Sequence, residues 1–242
     1  MQNVIGPIKA YFLLGVKAMS KDWLGFVWGL TFPGISLFLR AHSMDAAQYV
    51  DLSMYVLGLR FLWAFVIINA YLFGIGFNAA ELRESGNLRT YFSIRPAKVQ
   101  FFIAKLLTQV VFVLLCLTIF NAAAAAVIGR GFIYMMGRTL FMVAASLPFA
   151  FLAAGVTLVR KVFLNSLRTL VSIATALLTV LAMGTFGDFN VLAFVNPVSF
   201  VGETLTMRYA NDFVYWGVVS LLFVVVGVLS VWRFTPISKE VR

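Results

Sequence analysis

Acidic and metal-binding side chains are scarce in this sequence of 242 residues. Only 12% of the residues are charged, nine are Asp or Glu, and there is one histidine and one cysteine, Cys116. A single cysteine excludes an intramolecular disulfide and a cysteine metal cluster. One histidine and one cysteine on different segments do not supply the clustered nucleophile, base or metal ligands of an enzyme site. The sequence therefore predicts no catalytic residue, no metal site and no resident cofactor.

A phosphate loop is also missing, because no segment matches G-x-x-x-x-G-K-[ST]. We therefore expect that this chain alone does not hydrolyse ATP. The formal net charge of +10 would suggest nucleic acid in a soluble protein. Here the basic residues cluster between apolar runs, without the basic stripes and aromatic platforms of a nucleic-acid groove. No nucleic-acid partner is expected.

Long apolar runs dominate what is present, since 62% of the residues are hydrophobic. A soluble domain is nearer half apolar and a quarter charged, so lipid must solvate much of this surface. Six runs are long enough for a helix to cross the hydrocarbon core. The sequence predicts one all-α, polytopic transmembrane domain over residues 1–242, in a cell membrane and most simply the bacterial cytoplasmic membrane. The predicted spans are 23–39, 54–77, 106–128, 140–159, 169–186 and 214–232.

The lysines and arginines predict the orientation of these spans. Fourteen of the nineteen fall on the side of the N-terminus, four fall on the opposite side, and Arg60 lies within a span. Because basic residues are enriched in cytoplasmic loops, both termini are predicted to be cytosolic.

Three segments outside the predicted spans carry predictions of their own. Residues 7–21 are apolar with three lysines and predict an interfacial helix, or a simple extension of the first span. Residues 78–105 form a charged cytosolic segment, which suits either a solvated loop or a docking surface. Residues 187–213 are extracellular and apolar, and form either a re-entrant or interfacial lid or a packed loop. Within them, Asn196-Pro197 predicts the cap of a short helix that carries Glu203.

In their order along the chain, these pieces resemble one family, the permeases of the type-2 class of ABC exporters. The strongest part is the segment Glu81-Leu82-Arg83-Glu84-Ser85-Gly86-Asn87-Leu88-Arg89, which is similar to an E-x-x-x-G-x-L pattern after the second span. It is followed by Ala104-Lys105-Leu106-Leu107, where a glycine is common at the Ala104 position. Asn196-Pro197-Val198 resembles an N-P-L stretch before the last span.

The resemblance implies a half-transporter of the bacterial drug, antibiotic or peptide-immunity type. Two such subunits, identical or related, would form the pathway, and separate ABC ATPase subunits would hold ATP and Mg²⁺. It also implies that a coupling helix seats in the ATPase and that residues 7–21 lie beside it. The implied coupling residues are Glu81, Leu82, Arg83, Glu84, Leu88 and Arg89.

A few residues inside the spans are further candidates. Arg60 is the only charge at membrane depth, and it either meets anionic cargo or pairs with an outer acid such as Asp51 or Asp188. Asn69 and Asn121 are more typical of interhelical hydrogen bonds than of ligand contacts. The pair Gly25 and Gly29 forms a G-x-x-x-G motif, which favours either a subunit interface or close packing within one subunit.

Two other functions compete with ATP-driven export. A secondary transporter usually places Asp or Glu near the midplane of the membrane, whereas all nine acids here fall outside the predicted spans. A membrane scaffold without a transport role is not excluded by the chemistry of the sequence. The cargo, and the choice between a homodimer and a heterodimer, stay open.

Overall fold

The structure is a computed structural model that describes residues 5–19, 23–43, 51–86, 98–158, 161–183, 196–207 and 210–234. The regular secondary structure in these ranges is helical throughout, which confirms the all-α prediction. The helices are α1 (Ile5–Met19), α2 (Trp23–Ser43), α3 (Leu52–Tyr71), α4 (Asn78–Glu84), α5 (Lys98–Ile128), α6 (Phe132–Ala145), α7 (Leu147–Ala153), α8 (Lys161–Met183), α9 (Pro197–Gly202) and α10 (Ala210–Arg233). A π-helical stretch (Leu72–Phe77) joins α3 to α4, and 3₁₀ turns follow α7 (Ala154–Leu158) and α9 (Glu203–Leu205).

Four helices in the described part of the chain are long and apolar enough to cross a membrane. A fifth candidate is α6 together with α7 and its 3₁₀ turn, a pair bent by 48°. In α2 the described apolar stretch is shorter, Gly29–Leu39. The four are Leu52–Glu84, Lys98–Ile128, Ser166–Met183 and Asp212–Arg233.

Several helices extend beyond the predicted spans. The predicted span 54–77 is part of one continuous helix, Leu52–Glu84, which we call the long helix. The predicted span 106–128 begins eight residues earlier, at Lys98. The predicted loop 78–105 is therefore helical at both described ends, and residues 87–97 lie outside the described part. Hydropathy marks the stretch that lipid solvates, whereas a helix continues through charged residues of good helix propensity such as Glu81 and Arg83.

The long helix is the centre of the bundle. In its most apolar window 72% of the residues are buried, against 11% to 33% in the other three candidate spans. Leu59, Trp63, Ile67 and Tyr71 are all fully buried along it. Because the surrounding helices expose leucines and valines on their outer faces, they supply the surface that lipid would solvate.

The π-helical stretch brings two neighbours close to the long helix. A Cβ on Gly74 would lie 2.0 Å from the side chain of Gln109 in α5. A Cβ on Gly76 would lie 2.4 Å from the backbone oxygen of Ala153, at the end of α7. Only glycine permits the approach to the backbone at position 76, whereas the Gln109 side chain at position 74 can move aside.

The predicted span 140–159 is the bent pair of α6 and α7. The break falls at Ser146, and Pro148 occupies the first turn of α7. Proline has no N–H to donate and its ring crowds the preceding turn, which accounts for the bend. The first half of the pair begins at Phe132, eight residues before the predicted boundary.

The N-terminal helix packs on the start of α5. Tyr11 and Phe101 meet edge to face, with ring centroids 5.8 Å apart. The helix covers residues 5–19, two residues earlier than predicted, and residues 20–22 lie outside the described part. Leu13 of this helix is 55% exposed.

Candidate coupling surface and intramembrane polar contacts

Four of the six coupling residues predicted from the sequence, Glu81, Leu82, Arg83 and Glu84, lie at the end of the long helix. There α4 packs its small residues inward, and Ala79 and Ala80 are fully buried. Phe77 and Ala80 form a small apolar cluster with Leu164 of α8. The base of α4 is therefore held between α8 and the 3₁₀ turn after α7.

Arg83 and Glu84 are bound into the fold. The Arg83 guanidinium donates to the backbone oxygen of Thr157 and, through Nε, to Glu84 Oε1 at 2.7 Å. The side chains of Arg83 and Glu84 are only 11% and 6% exposed. Glu84 therefore neutralises an arginine that lies against the bundle and is not an exposed charge of this surface.

Glu81 is the acid that this surface presents. Its side chain is 65% exposed and its Oε2 lies 3.8 Å from Nη1 of Arg168 in α8. Arg168 also lies over the ring of Phe73, 5.7 Å from the ring centroid. Leu82 is half-buried and packs against the core. Leu88 and Arg89 lie outside the described residues.

A polar contact that the sequence did not suggest joins the long helix to α5. Lys105 Nζ donates to Asn78 Oδ1 across 2.5 Å and lies 5.8 Å from the ring centroid of Phe101. Asn78 and Lys105 stand at opposite ends of the segment that was predicted to be a loop. In the sequence, one signal suggests this pairing: the two residues begin and end the segment that joins two predicted spans.

Arg60, near the Asp51 end of the long helix, forms an ion pair with Glu203. Arg60 Nη2 donates to Glu203 Oε1 at 3.0 Å, and the two side chains are 22% and 40% exposed. The Arg60 guanidinium also lies over the Phe61 ring, at 4.5 Å from the centroid. The partner is neither acid considered from the sequence. Asp51 instead caps α3 by accepting from the backbone N–H of Ser53 at 2.8 Å, and Asp188 lies outside the described residues.

The segment that carries Glu203 is buried against the bundle. Asn196 caps α9 as predicted, accepting from the Val198 N–H at 2.9 Å, and its own amide donates to the Leu178 oxygen of α8 at 2.9 Å. Pro197 occupies the first turn of α9. A Cβ on Gly202 would lie 2.6 Å from the Phe61 ring. Residues 196–207 thus form a short helix and a 3₁₀ turn packed against the bundle, and residues 187–195 lie outside the described part.

The two intramembrane asparagines hydrogen-bond between helices. Asn69 accepts from Thr175 of α8 at 3.4 Å and donates to its own helix at Phe65. Asn121 of α5 donates to Thr139 of α6 at 3.2 Å. Both asparagines are buried, so their amides contribute to helix association.

The G-x-x-x-G motif of α2 does not mark close packing at Gly29. A Cβ on Gly29 would meet no atom of the described chain within 4 Å. Packing within one subunit is therefore not supported at this position. Gly25 lies in α2, but its surroundings are outside the described part.

The sequence matches no family model, and comparisons with curated proteins and with solved structures give no match. Its function is therefore argued from the residues and from their geometry.

Proposed function

We propose that this chain is the membrane-spanning permease subunit of an ATP-driven exporter of the ABC type-2 class. It works as a homodimer or heterodimer and is driven by separate ATPase subunits, which hold ATP and Mg²⁺. The observation that carries the proposal is the position of α4. This short charged helix ends the central helix of the bundle and is bound to two further helices.

The contacts of α4 give a mechanical path for coupling. A displacement of α4 acts on the 3₁₀ turn after α7 through Arg83 and Thr157, and on α8 through Glu81 and Arg168. It also acts on α5 through Asn78 and Lys105. Rigid packed elements transmit such displacements over the length of a bundle. A partner that moves α4 therefore moves much of the membrane domain.

The proposal includes six spans with both termini in the cytosol, which places α4 on the ATPase side. The warrant is the distribution of lysines and arginines. In a Cys116→Ser background, single cysteines at Ser43, Arg130 and Asn211 are expected to react with an impermeant thiol reagent added to intact cells. Labelling of any one of them only after lysis would contradict the span beside it.

Glu81 provides the most direct test of coupling, because it is the exposed acid of α4. The tagged full chain is purified from its native membrane with its partners, and ATP hydrolysis, partner recovery and export are measured. Glu81→Lys is expected to reduce partner recovery or to uncouple hydrolysis from export. The chain alone is expected to show no hydrolysis.

A charge swap separates docking from the ion pair within the chain. The double variant Glu81→Arg with Arg168→Glu keeps the pair but reverses the charge that Glu81 offers to a partner. If Glu81 docks the ATPase, the swap is as defective as Glu81→Lys; if only the internal pair matters, the swap restores function. Normal assembly and export by Glu81→Lys would show that α4 is an ordinary helix end and would overturn the proposed coupling.

A further inference from the structure

An apolar groove lies between the start of α5, the end of α7 and the end of α10. Its volume is about 460 Å³, within the roughly 300–1,000 Å³ of small-molecule sites. Phe102 and Leu106 form one wall, and Ala150 and Val228 lie opposite. The outer rim is open, since Val228 is 53% exposed.

One end of this groove is basic and aromatic. Lys98 and Trp232 both line it, and the lining residues that the structure describes include no acid. In the described part of the chain, Lys98 forms no hydrogen bond or ion pair. Trp232 is 77% exposed and is followed by Arg233, at the end of α10. The groove thus combines an apolar channel with a cation at one end.

The length of α5 places this basic end at the level of lipid headgroups. Its 31 residues span about 46 Å. That length equals roughly the hydrocarbon core and both headgroup layers together, ~40–45 Å. Lys98 begins the helix and Arg130 follows its other end, so each basic residue falls in one headgroup layer. Lys98 and Trp232 then lie where lysine and tryptophan are enriched at membrane interfaces.

We propose that this groove binds an anionic phospholipid of the cytoplasmic leaflet. One acyl chain lies along Phe102, Leu106 and Val228, and the phosphate lies against Lys98 Nζ. The leaflet assignment uses the predicted orientation, but the site does not depend on the export function. A phospholipid fits both features, because the walls are apolar and, among the described lining residues, the one charged side chain, Lys98, lies at the headgroup level. Basic pockets between helices on the cytoplasmic side favour anionic over zwitterionic lipids.

Photolabelling tests this site in the full chain. The protein is placed in phosphatidylcholine nanodiscs that contain a trace of phosphatidylglycerol with a diazirine in its acyl chain. After irradiation, mass spectrometry is expected to place the adducts on groove residues such as Phe102 and Val228. Excess unlabelled phosphatidylglycerol is expected to compete, and Lys98→Gln to reduce labelling by about fivefold, the factor that corresponds to ~1 kcal/mol per basic residue.

Two matched pairs of variants control the result. Lys9→Gln removes an exposed lysine of α1 that does not line the groove and is expected to leave labelling unchanged. Val228→Trp fills the groove from its open rim and is expected to abolish the adducts. Val225→Trp adds the same bulk to an exposed position of α10 outside the groove and is expected to preserve them.

Three outcomes would overturn the proposal. These are equal labelling by a phosphatidylcholine probe with the same diazirine chain, unchanged labelling in Lys98→Gln, and adducts that survive Val228→Trp. Each would mean that ordinary boundary lipid covers this face. Failure here leaves the coupling test on Glu81 untouched, since the two sites share no residue.

Discussion

The two ends of the long helix differ in what a closely packed glycine meets there, a side-chain ring at one end and a backbone oxygen at the other. At the Asp51 end, Arg60 pairs with the side chain of Glu203 and Gly202 faces the Phe61 ring, while Tyr55 donates to the backbone oxygen of Ala124. At the Glu84 end, Arg83 binds a backbone oxygen of Thr157, and Gly76 faces the backbone oxygen of Ala153. Side chains can change rotamer, whereas a helical backbone shifts only with the helix.

This difference fits the proposed exporter, in which the Glu84 end of the long helix receives force from the ATPase and the Asp51 end does not. An end that receives force requires close contacts that do not yield, and the approach of Gly76 to the backbone oxygen of Ala153 is such a contact. The Phe61 ring that faces Gly202 can instead move with little change in the backbone. The comparison predicts that the same substitution, made at each end, lowers the free energy of unfolding by different amounts.

A glycine-to-alanine substitution at each end is expected to give the largest difference in the free energy of unfolding. Gly76→Ala places a Cβ against a backbone oxygen and is expected to lower the free energy of unfolding by about 3 kcal/mol. Gly202→Ala meets a ring that can rotate and is expected to cost about 1 kcal/mol. Thermal unfolding in detergent measures both.

The control for this pair is Gly217→Ala in α10, where a Cβ meets no described atom within 4 Å. That change is expected to be neutral or stabilising, because alanine favours a helix over glycine. Equal losses for Gly76→Ala and Gly202→Ala would remove the contrast between the two ends.

Removing the ion pair at the Asp51 end is expected to have an intermediate effect. Arg60→Leu leaves Glu203 without the cation of its ion pair. Because both side chains are partly exposed, we expect the free energy of unfolding to fall by about 1 kcal/mol. If Arg60 is structural, cargo selectivity stays unchanged. If it contacts cargo instead, stability holds and export of anionic cargo falls.

A double-mutant cycle with Glu203→Leu isolates the coupling energy of this pair. Additive losses for Arg60→Leu and Glu203→Leu would show that the pair does not hold the outer segment.

The hydrogen bonds that Asn69 and Asn121 form between helices are expected to contribute less to stability. Asn69→Leu and Asn121→Leu each remove a bond between helices, and such bonds average ~0.6 kcal/mol in membrane proteins. Asn69 holds α8 to the long helix, whereas Asn121 joins α5 to α6. Small losses of stability without loss of export are expected; loss of export at normal stability would assign the residue to the pathway.

The smallest effect is a pH dependence at the cap of α3. Hydrogen bonds from the Ser53 hydroxyl and backbone N–H lower the pKa of Asp51 below its ordinary value of 3.8. A lowered pKa in the folded state stabilises the fold above the ordinary value, and this stabilisation is lost as the pH falls through the folded pKa. Comparing acid unfolding of the native chain with Asp51→Asn measures it. An identical pH dependence in both would contradict the cap.

Some of this structure could be predicted from residue patterns alone. Apolar runs located the helices, because each must satisfy its backbone in lipid. Asn196 and Pro197 marked the start of α9, because a cap and a first-turn proline act within one turn of chain. The extensions to Glu84 and from Lys98 were missed, since charged residues end a hydropathy signal without ending a helix.

The contacts of the charged residues could not be predicted in the same way. Glu81 and Glu84 are three residues apart, yet one is exposed and the other is buried against Arg83. Arg60 pairs with an acid 143 positions away, and nothing near either residue indicates the other.

The sequence by itself determined the helical class of this protein and where its long apolar helices lie. An excess of apolar residues in long runs favours helices that are long and apolar enough to cross a membrane, and that conclusion follows from composition and length. Only the tertiary structure decided which helix is central, which charges are exposed and where a groove remains. Those properties depend on how side chains from distant segments fill space together, because close packing is a property of the assembled bundle and not of any one segment.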